Sequence, residues 1–302
     1  MRYAVVGTGA IGGYYGSMLA RAGADVSFLL RSDYSHVREH GLSIRSCDGD
    51  FRLPHVNAFK STADIGPVDV VLVCMKTTGN SQLPQLLAPL LRSDTLVILI
   101  QNGIGLEPDL QIHFPSAYIA AGLAFICSAK EGPGTINHQA YGHINLGNYS
   151  CADTGLFDRI VADMRKAGIK AASVDYNEAR WKKAVWNMPF NGMTVALDTC
   201  TDRLLADRST CRLIREQMLE VVGAARALGV RKLDEAFVDK MIADTIVMPP
   251  YLPSMKLDYD NHRPMEIDYL YTRPIAEAKK AGFEMPRLAM LEAELRFLEA
   301  GR

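Results

Sequence analysis

Short apolar runs alternate with stretches of helical periodicity over the first 174 residues. We predict strands at residues 4–6, 25–30, 68–74 and 95–100, and the last two are continuous apolar runs apart from Asp69. Runs of this length without a polar face predict strands that are buried on both sides of a parallel sheet. Helical patterns lie between them, at residues 10–22, 32–40 and 82–91. This alternation predicts a doubly wound α/β domain.

Shorter apolar segments follow, and glycines separate several of them. We predict a short strand at residues 42–45 and a last strand at residues 169–174. Residues 118–126, 135–137 and 144–146 predict antiparallel additions to the sheet, because they are short and divided by turn residues.

The pattern changes near residue 175, where strand signals almost disappear. Long helical patterns cover residues 177–198, 208–228, 233–246, 264–281 and 286–298. Two prolines, Pro249 and Pro250, mark a loop among them. We therefore predict two domains, an α/β domain at residues 1–174 and an all-α domain at residues 175–302.

A glycine-rich turn joins the first predicted strand to the first predicted helix. Its residues are Gly7, Thr8, Gly9, Ala10, Ile11 and Gly12. In this strand–turn–helix context, G-x-G-x-x-G is the dinucleotide-binding fingerprint of a Rossmann-type domain. Gly7 would permit a tight turn, Gly9 would admit a pyrophosphate, and Gly12 would let the helix pack close to the strand. The alternative is an ordinary turn between strand and helix.

The end of the second strand bears on which dinucleotide binds. Enzymes that bind NAD place a carboxylate there to hold the ribose 2′-hydroxyl, whereas this chain has Arg31. A guanidinium suits the 2′-phosphate of NADP(H), and Lys76 after the 68–74 strand would add a second cation. Asp33 lies close by and leaves NAD(H) open, and Arg31 could also be an ordinary surface charge.

Composition narrows the class of protein. The chain has 302 residues, 48% of them hydrophobic, and a formal net charge of −1. It has no basic stripe of the kind that binds nucleic acid, and no apolar run long enough to span a membrane. Its six cysteines form no C-x-x-C pair and are typical of reduced thiols, so we expect a cytoplasmic protein. The apolar helical region is compatible with a homodimer.

Two groups of polar residues are candidates for the chemistry. Asn102 follows the 95–100 strand and could bind a nicotinamide or a substrate carboxylate. Lys183, Asn187 and Asn191 are spaced i, i+4, i+8, so they share one helix face that is flanked by apolar residues. A lysine there could protonate the alkoxide that forms when a ketone is reduced. Equally, the lysine could extend to solvent while the asparagines serve as structural caps.

Further candidates are weaker. Ser254 and Glu266 could hydrogen-bond a hydroxy acid, although Ser254 also suits a helix cap and Glu266 an exposed helix position. His36 and His40 are spaced as metal ligands, but no glutamate or third ligand completes a zinc motif. We therefore predict no metal site.

Taken together, these motifs resemble the ketopantoate reductase family, the 2-dehydropantoate 2-reductases. The G-x-G-A-I-G-G turn, the Q-N-G turn, the W-x-K-x-x-x-N-x-x-x-N helix, the S-M loop and the E-I-D-Y segment occur in the family's order. The resemblance covers essentially the whole chain. It implies NADPH-dependent reduction of 2-dehydropantoate to (R)-pantoate, a step towards pantothenate and coenzyme A.

The resemblance also implies a role for each matching residue. Lys183 would be the catalytic acid, and Glu266 would bind and orient the substrate. Substrate contacts would come from Asn102, Asn187, Asn191 and Ser254. The glycine turn, Arg31, Lys76 and Asn102 would bind the cofactor.

The chain departs from the family pattern after the E-I-D-Y segment. The family continues with an amide and a glycine, whereas this chain has Tyr271 and Thr272, followed by Pro274. We expect Pro274 to kink the helix or to start a new turn. These departures leave open a reductase for another 2-keto acid. A protein that binds NADP(H) without catalysis is a further alternative.

Overall fold

The computed structural model describes residues 1–301, which divide into two compact units. The first contains Met1–Gln101 and Leu106–Tyr176, and the second contains Asn102–Gly105 and residues 177–301. No helix among the described residues combines the length and the apolar character needed to cross a bilayer.

Ten strands of the first unit form one sheet. They are β1 (Arg2–Val6), β2 (Asp25–Leu29), β3 (Leu42–Ser46), β4 (Phe51–Leu53), β5 (Asn57–Phe59), β6 (Val70–Val73), β7 (Leu96–Leu99), β8 (Tyr118–Gly132), β9 (Thr135–Asn148) and β10 (Ala171–Val174). Their order is β4-β3-β9-β8-β7-β6-β1-β2-β5, with β10 beside β9.

The predicted parallel core of the sheet is confirmed. Strands β5, β2, β1, β6, β7 and β8 pair in parallel, with Val5 opposite Phe28 on one side and Leu72 on the other. All residues of β6 and β7 are buried, as their continuous apolar runs predict.

The antiparallel addition is confirmed, but its strands are longer than predicted. β8 and β9 form one antiparallel ribbon, and residues 135–137 and 144–146 both belong to β9. The register of this ribbon shifts between Phe125 and Ile126 and at two further points. Such irregularities interrupt the alternation of side chains, so a single strand gives the pattern of several short ones.

Six helices accompany the sheet: α1 (Ala10–Arg21), α2 (Tyr34–His40), α3 (Thr62–Ile65), α4 (Leu83–Leu87), α5 (Leu106–His113) and α6 (Thr154–Lys166). The single helix predicted at residues 82–91 is wrong. It consists of a 3₁₀ turn (Thr77–Gln82), then α4, then a second 3₁₀ turn (Ala88–Leu90). Pro89 interrupts it, because proline supplies no amide hydrogen.

Seven α-helices form the described part of the second unit. They are α7 (Tyr176–Ala196, whose first residue lies in the first unit), α8 (Thr201–Ala206), α9 (Arg208–Ala227), α10 (Glu235–Ile246), α11 (Ser254–Asp260), α12 (Arg273–Lys280) and α13 (Pro286–Ala300). They bury a separate apolar core that includes Trp181, Phe190 and Leu288. The sequence pattern missed α8 and α11, which are only one to two turns long.

One predicted helix of this unit begins later than its pattern indicates. Instead of starting at Pro264, it starts as a π-helix at Asp268–Thr272 and continues into α12. Pro274 lies in the first turn of α12 and cannot donate a backbone hydrogen bond, which favours a wider turn just before it. Glu266 consequently lies in the segment that leads into this helix.

Candidate functional site

The glycine turn of the first unit has the backbone geometry of a dinucleotide-binding turn. Gly7 has φ of +100°, a conformation that residues with a side chain rarely adopt. A Cβ on Gly12 would lie 2.3 Å from the Gly7 carbonyl oxygen and 2.7 Å from the Val5 side chain. The predicted roles of Gly7 and Gly12 in the turn and in helix packing therefore correspond to real steric constraints.

Gly9 differs from these two glycines. A Cβ placed on it would meet no atom within 4 Å, so the space beside it is open. Gly9 also starts α1, which has no side-chain cap and no acidic residue in its first turn. An uncapped helix N-terminus with open space beside it suits a pyrophosphate, because backbone N–H groups and the helix dipole favour an anion.

The side chains near the turn also suit NADP(H). Thr8 donates a hydrogen bond of 2.8 Å to the Leu29 carbonyl oxygen and so ties the turn to the end of β2. Ala10 and Ile11 form the first turn of α1. Arg31 and Lys76 are exposed, and they follow β2 and β6 at the carboxyl edge of the sheet, where nucleotides bind in such folds.

Asp33, the residue that left NAD(H) open, is engaged elsewhere. Its carboxylate lies 2.6 Å from the Lys130 ammonium and accepts a hydrogen bond of 3.3 Å from the Gly134 amide. It is also buried, with 7% of its surface exposed. Arg31, by contrast, is exposed, and its charge favours a 2′-phosphate.

The second unit contains a small cavity that Lys183 lines. Its lining is formed by α7, by the π-helix and by the segment Asn102–Gly105. The lining residues are Gly103, Ile104, Arg180, Lys183, Ala184, Asn187, Met188, Tyr269 and Leu270. Lys183 and Asn187, which the sequence placed on one helix face, thus line the same space.

Lys183 has unusual electrostatics for a lysine. Burial, followed by the positive charge of Arg180, lowers the pKa of the Lys183 ammonium to about 7, while the negative charge of Glu266 raises it. A pKa near neutrality suits a group that must both give up and regain a proton. Its neighbour Lys182 instead pairs with Glu178 at 2.5 Å, so only one of the two adjacent lysines belongs to the cavity.

Arg180 is the residue that sequence reasoning missed. Only 3% of its surface is exposed, and it lines the cavity three residues before Lys183. The signal was present, because residues spaced i, i+3 share a helix face. An arginine next to a tryptophan in an amphipathic helix, however, is indistinguishable by pattern from an ordinary surface charge.

Asn191 and Ser254 lie outside the cavity lining. The Asn191 side chain donates to the Asn187 carbonyl oxygen at 2.9 Å and accepts from the Met255 amide at 3.1 Å. It therefore ties α7 to the first turn of α11. Ser254 is half-buried as the first residue of α11, whose N-cap is Pro253. Direct substrate contacts by Asn191 and Ser254 stay predictions.

Glu266 and the π-helix complete the surroundings of Lys183. Glu266 is buried, and its charge acts on Lys183. The segment Asn102–Gly105 contacts the π-helix, since the Ile104 amide donates to the Tyr269 carbonyl oxygen at 2.9 Å. A Cβ on Gly103 would lie 2.6 Å from Tyr269 atoms, so glycine is required at this approach. Asn102, which is half-buried, precedes it directly.

The structure shows the surroundings of the three residues that depart from the family pattern. The Thr272 hydroxyl is hydrogen-bonded to Glu292 and to Arg296, both on α13. Pro274 starts a new helical turn, which is one of the two outcomes expected for it. The third departure, Tyr271, is fully buried and contacts α7.

The histidines considered as metal ligands lie on α2. His36 and His40 are exposed and their rings lie 4.7 Å apart. Another group of possible ligands lies in the first unit, where atoms of Cys47, Asp48 and His138 fall within 4.8 Å of one another. There the His138 Nδ1 is already hydrogen-bonded to the Ser46 hydroxyl at 2.8 Å.

Comparison with known proteins identifies the family of this chain. Residues 3–150 match the family model described as ketopantoate reductase PanE/ApbA, and residues 175–299 match its C-terminal counterpart. A 2-dehydropantoate 2-reductase from Nostoc sp. is 43% identical over 99% of this chain and 95% of its own length.

Solved structures are similar over the same extent. The crystal structure of a 2-dehydropantoate 2-reductase from Geobacter metallireducens has a TM-score of 0.94 and 40% identity, covering 98% of this chain and 99% of that one. The enzyme of the same name from Methylococcus capsulatus has a TM-score of 0.91 and 34% identity, covering 99% and 97% of the two chains. The expected Rossmann-type domain followed by a helical domain is confirmed, and the chain belongs to the ketopantoate reductase family.

Proposed function

We propose that this protein catalyses the NADPH-dependent reduction of 2-dehydropantoate to (R)-pantoate in the synthesis of pantothenate and coenzyme A. The observation that carries the proposal is Lys183, a lysine with a pKa of about 7 that lines a cavity and is influenced by the buried Glu266. The relative from Nostoc sp. with the corresponding name supports the substrate.

In this mechanism the chain supplies the proton and the orientation. When bound, NADPH supplies the hydride that reduces the keto carbon. The Lys183 ammonium donates its proton to the oxygen that becomes the hydroxyl, and water returns a proton to the neutral amine afterwards. Glu266 favours the ammonium form through its charge and would orient the substrate. Asn187, which lines the cavity, would hydrogen-bond the substrate.

The cofactor would be held by the first unit. The open space at Gly9 and the uncapped start of α1 fit the pyrophosphate, and Arg31 with Lys76 fits the 2′-phosphate. Asn102 would contact the nicotinamide or the substrate. Asn191 and Ser254 would contribute to substrate binding.

A reductase for another 2-keto acid is the second candidate function. Tyr271 and Thr272 replace family residues within the same π-helix whose Tyr269 and Leu270 line the cavity. A change in this helix alters the wall against which the substrate's alkyl group would pack. The reaction would be the same, and the substrate would differ.

The test follows NADPH oxidation at 340 nm with 2-dehydropantoate and a panel of other 2-keto acids. We expect selective turnover of 2-dehydropantoate and a loss of about 10²–10⁴-fold in Lys183→Met. Lys182→Met is the matched control, because Lys182 pairs with Glu178 instead of lining the cavity.

Each other outcome of this assay has a definite meaning. Selective turnover of a different acid would reassign the substrate and keep the mechanism. Tight NADPH binding without turnover of any acid would favour the non-catalytic, NADP(H)-binding alternative. Equal activity of wild type and Lys183→Met would remove Lys183 from the chemistry.

We also propose a cytoplasmic location and a homodimer. The scattered spacing of the six cysteines supports a reducing compartment. The apolar side chains of Met290 and Phe297 on α13, which are 66% and 79% exposed, support a contact with a second copy. Cell fractionation and light scattering on the purified protein test the two statements, and a monomer at micromolar concentration would contradict the second.

A further inference from the structure

We propose that the guanidinium of Arg180 binds the carboxylate of a 2-keto acid and thereby selects charged keto acids over neutral ketones. The inference rests on the proposed function and adds to it the residue that recognises the carboxylate of the substrate. It concerns a side chain for which the sequence predicted no role.

The position of Arg180 is the first argument. Its side chain is 97% buried, yet it lines a cavity instead of packing wholly into the apolar core. Residues three apart on a helix have Cβ atoms about 5–6 Å from each other, so Arg180 and Lys183 present two cations to one space. Two cations in one buried space favour an anionic ligand there, beside the negative charge that Glu266 already supplies.

The shape of the substrate matches this pair of cations. In a 2-keto acid the carboxylate carbon is bonded directly to the keto carbon, so the two polar groups are adjacent. A planar guanidinium can hold a carboxylate with two parallel hydrogen bonds. With the carboxylate on Arg180, the keto oxygen would lie towards the next turn of the helix, where Lys183 is located.

Other charged groups around Lys183 do not replace Arg180 in this role. Glu266, from the segment before the π-helix, is an anion and would repel a carboxylate. Tyr269 from the π-helix lines the cavity and is not a cationic residue. Arg273 on α12 lies over the Tyr269 ring, 4.4 Å from its centre. On α7 itself, Lys182 pairs with Glu178.

A consequence for proton donation follows from the same geometry. Arg180 disfavours the ammonium form of Lys183, since two like charges repel. A bound carboxylate would offset that repulsion and raise the proton affinity of Lys183. Binding of the acid group would therefore favour the protonated form of Lys183, which donates the proton in the reaction. A neutral ketone would not have this effect.

The experiment compares a keto acid with its neutral counterpart. Wild type, Arg180→Met, Arg180→Lys and the control Lys182→Met are assayed with 2-dehydropantoate and with the corresponding primary amide. We expect Arg180→Met to lower kcat/KM for the acid by about 30-fold or more, mainly through KM, with little change for the amide. Arg180→Lys should recover part of the loss, since it keeps the charge but not the paired hydrogen bonds.

A pH profile separates this role from a purely structural one. In Arg180→Met the pH at which kcat/KM declines should shift upwards, because the charge that disfavours the Lys183 ammonium is gone. Damage to the fold would lower activity with both substrates and leave that pH unchanged. An acid-to-amide preference equal to wild type in both Arg180 variants would overturn the proposal.

A binding measurement distinguishes failure of this proposal from failure of the proposed function. Calorimetry with pantoate and with its amide needs no turnover. If wild type reduces no keto acid, yet binds pantoate in a manner that depends on Arg180, the proposed reaction fails and the carboxylate site remains. If wild type reduces 2-dehydropantoate and Arg180→Met binds pantoate as tightly as wild type does, the proposed reaction remains and the carboxylate site at Arg180 fails.

Discussion

The hydroxyl of Tyr271 is inserted into the hydrogen-bond ladder of helix α7. It donates to the Met188 carbonyl oxygen at 2.5 Å and accepts from the Gly192 amide. In an unbroken helix these two backbone groups, four residues apart, would bond to each other. Pro189 lies between them and already removes one hydrogen bond of this helix. The side chain that replaces an amide of the family pattern thus stabilises the part of α7 around Pro189, which follows Lys183.

We expect Tyr271→Phe to destabilise the protein by about 1–3 kcal/mol, since both backbone groups would lose a buried partner. Urea unfolding measures the change in the free energy of unfolding. Tyr141→Phe is the matched control, because that residue is 57% exposed and should change stability by less than about 0.5 kcal/mol. Equal stability of the two variants would mean that the hydroxyl contributes nothing to α7.

The pKa of Lys183 predicts opposite pH dependences for the two directions of the reaction. Reduction requires the ammonium form, so kcat/KM should fall roughly tenfold per unit as the pH rises above about 7. Oxidation of pantoate requires the neutral amine, so its kcat/KM should rise up to the same pH and then level off. Steady-state rates in both directions, measured from about pH 5.5 to about pH 9, test this prediction.

The residual activity of Lys183→Met provides the control for this pH dependence. It should lack the break near pH 7 in both directions, because the titrating group is absent. A break that persists in this variant would assign the titration to another group.

Arg31 should decide the preference between the two nicotinamide cofactors. Arg31→Gln removes the cation at the end of β2, and we expect the Kd for NADPH to rise about tenfold or more while the Kd for NADH changes little. Fluorescence titration with each cofactor measures both constants. Arg38→Gln, at an exposed position on α2, is the control. An equal loss of affinity for both cofactors would contradict a contact with the 2′-phosphate.

Substitutions at Gly9 and Gly12 should affect different properties, namely NADPH affinity at Gly9 and stability at Gly12. Gly9→Ala meets no protein atom, and φ at Gly9 is −90°, so the variant should fold normally but bind NADPH on the order of tenfold more weakly. Gly12→Ala would instead clash with the Gly7 carbonyl oxygen and cost about 1–3 kcal/mol of stability or more. Thermal melting separates the two, and unchanged NADPH affinity in Gly9→Ala would argue against a pyrophosphate at this turn.

Local patterns predicted the parts of the site that lie within one element. The glycine turn follows from residues adjacent in sequence, and helical spacing correctly put Lys183 and Asn187 beside one space. The same spacing did not foresee that the Asn191 amide is engaged by α7 and by Met255, 64 residues away. A helix face has several neighbours along its length, and periodicity alone does not say which of them is a cavity.

The sequence by itself determined the two kinds of architecture, the glycine turn and the helix that bears Lys183, because these depend on short-range periodicity and backbone sterics. Only the tertiary structure decided three further points. It engages Asp33 with Lys130, it buries Arg180 beside Lys183, and it inserts Tyr271 into a helix 83 residues earlier in the chain. Each depends on contacts between segments that are distant in sequence. The strength of these contacts is set by the packed interior, which removes the charges and hydroxyls from water.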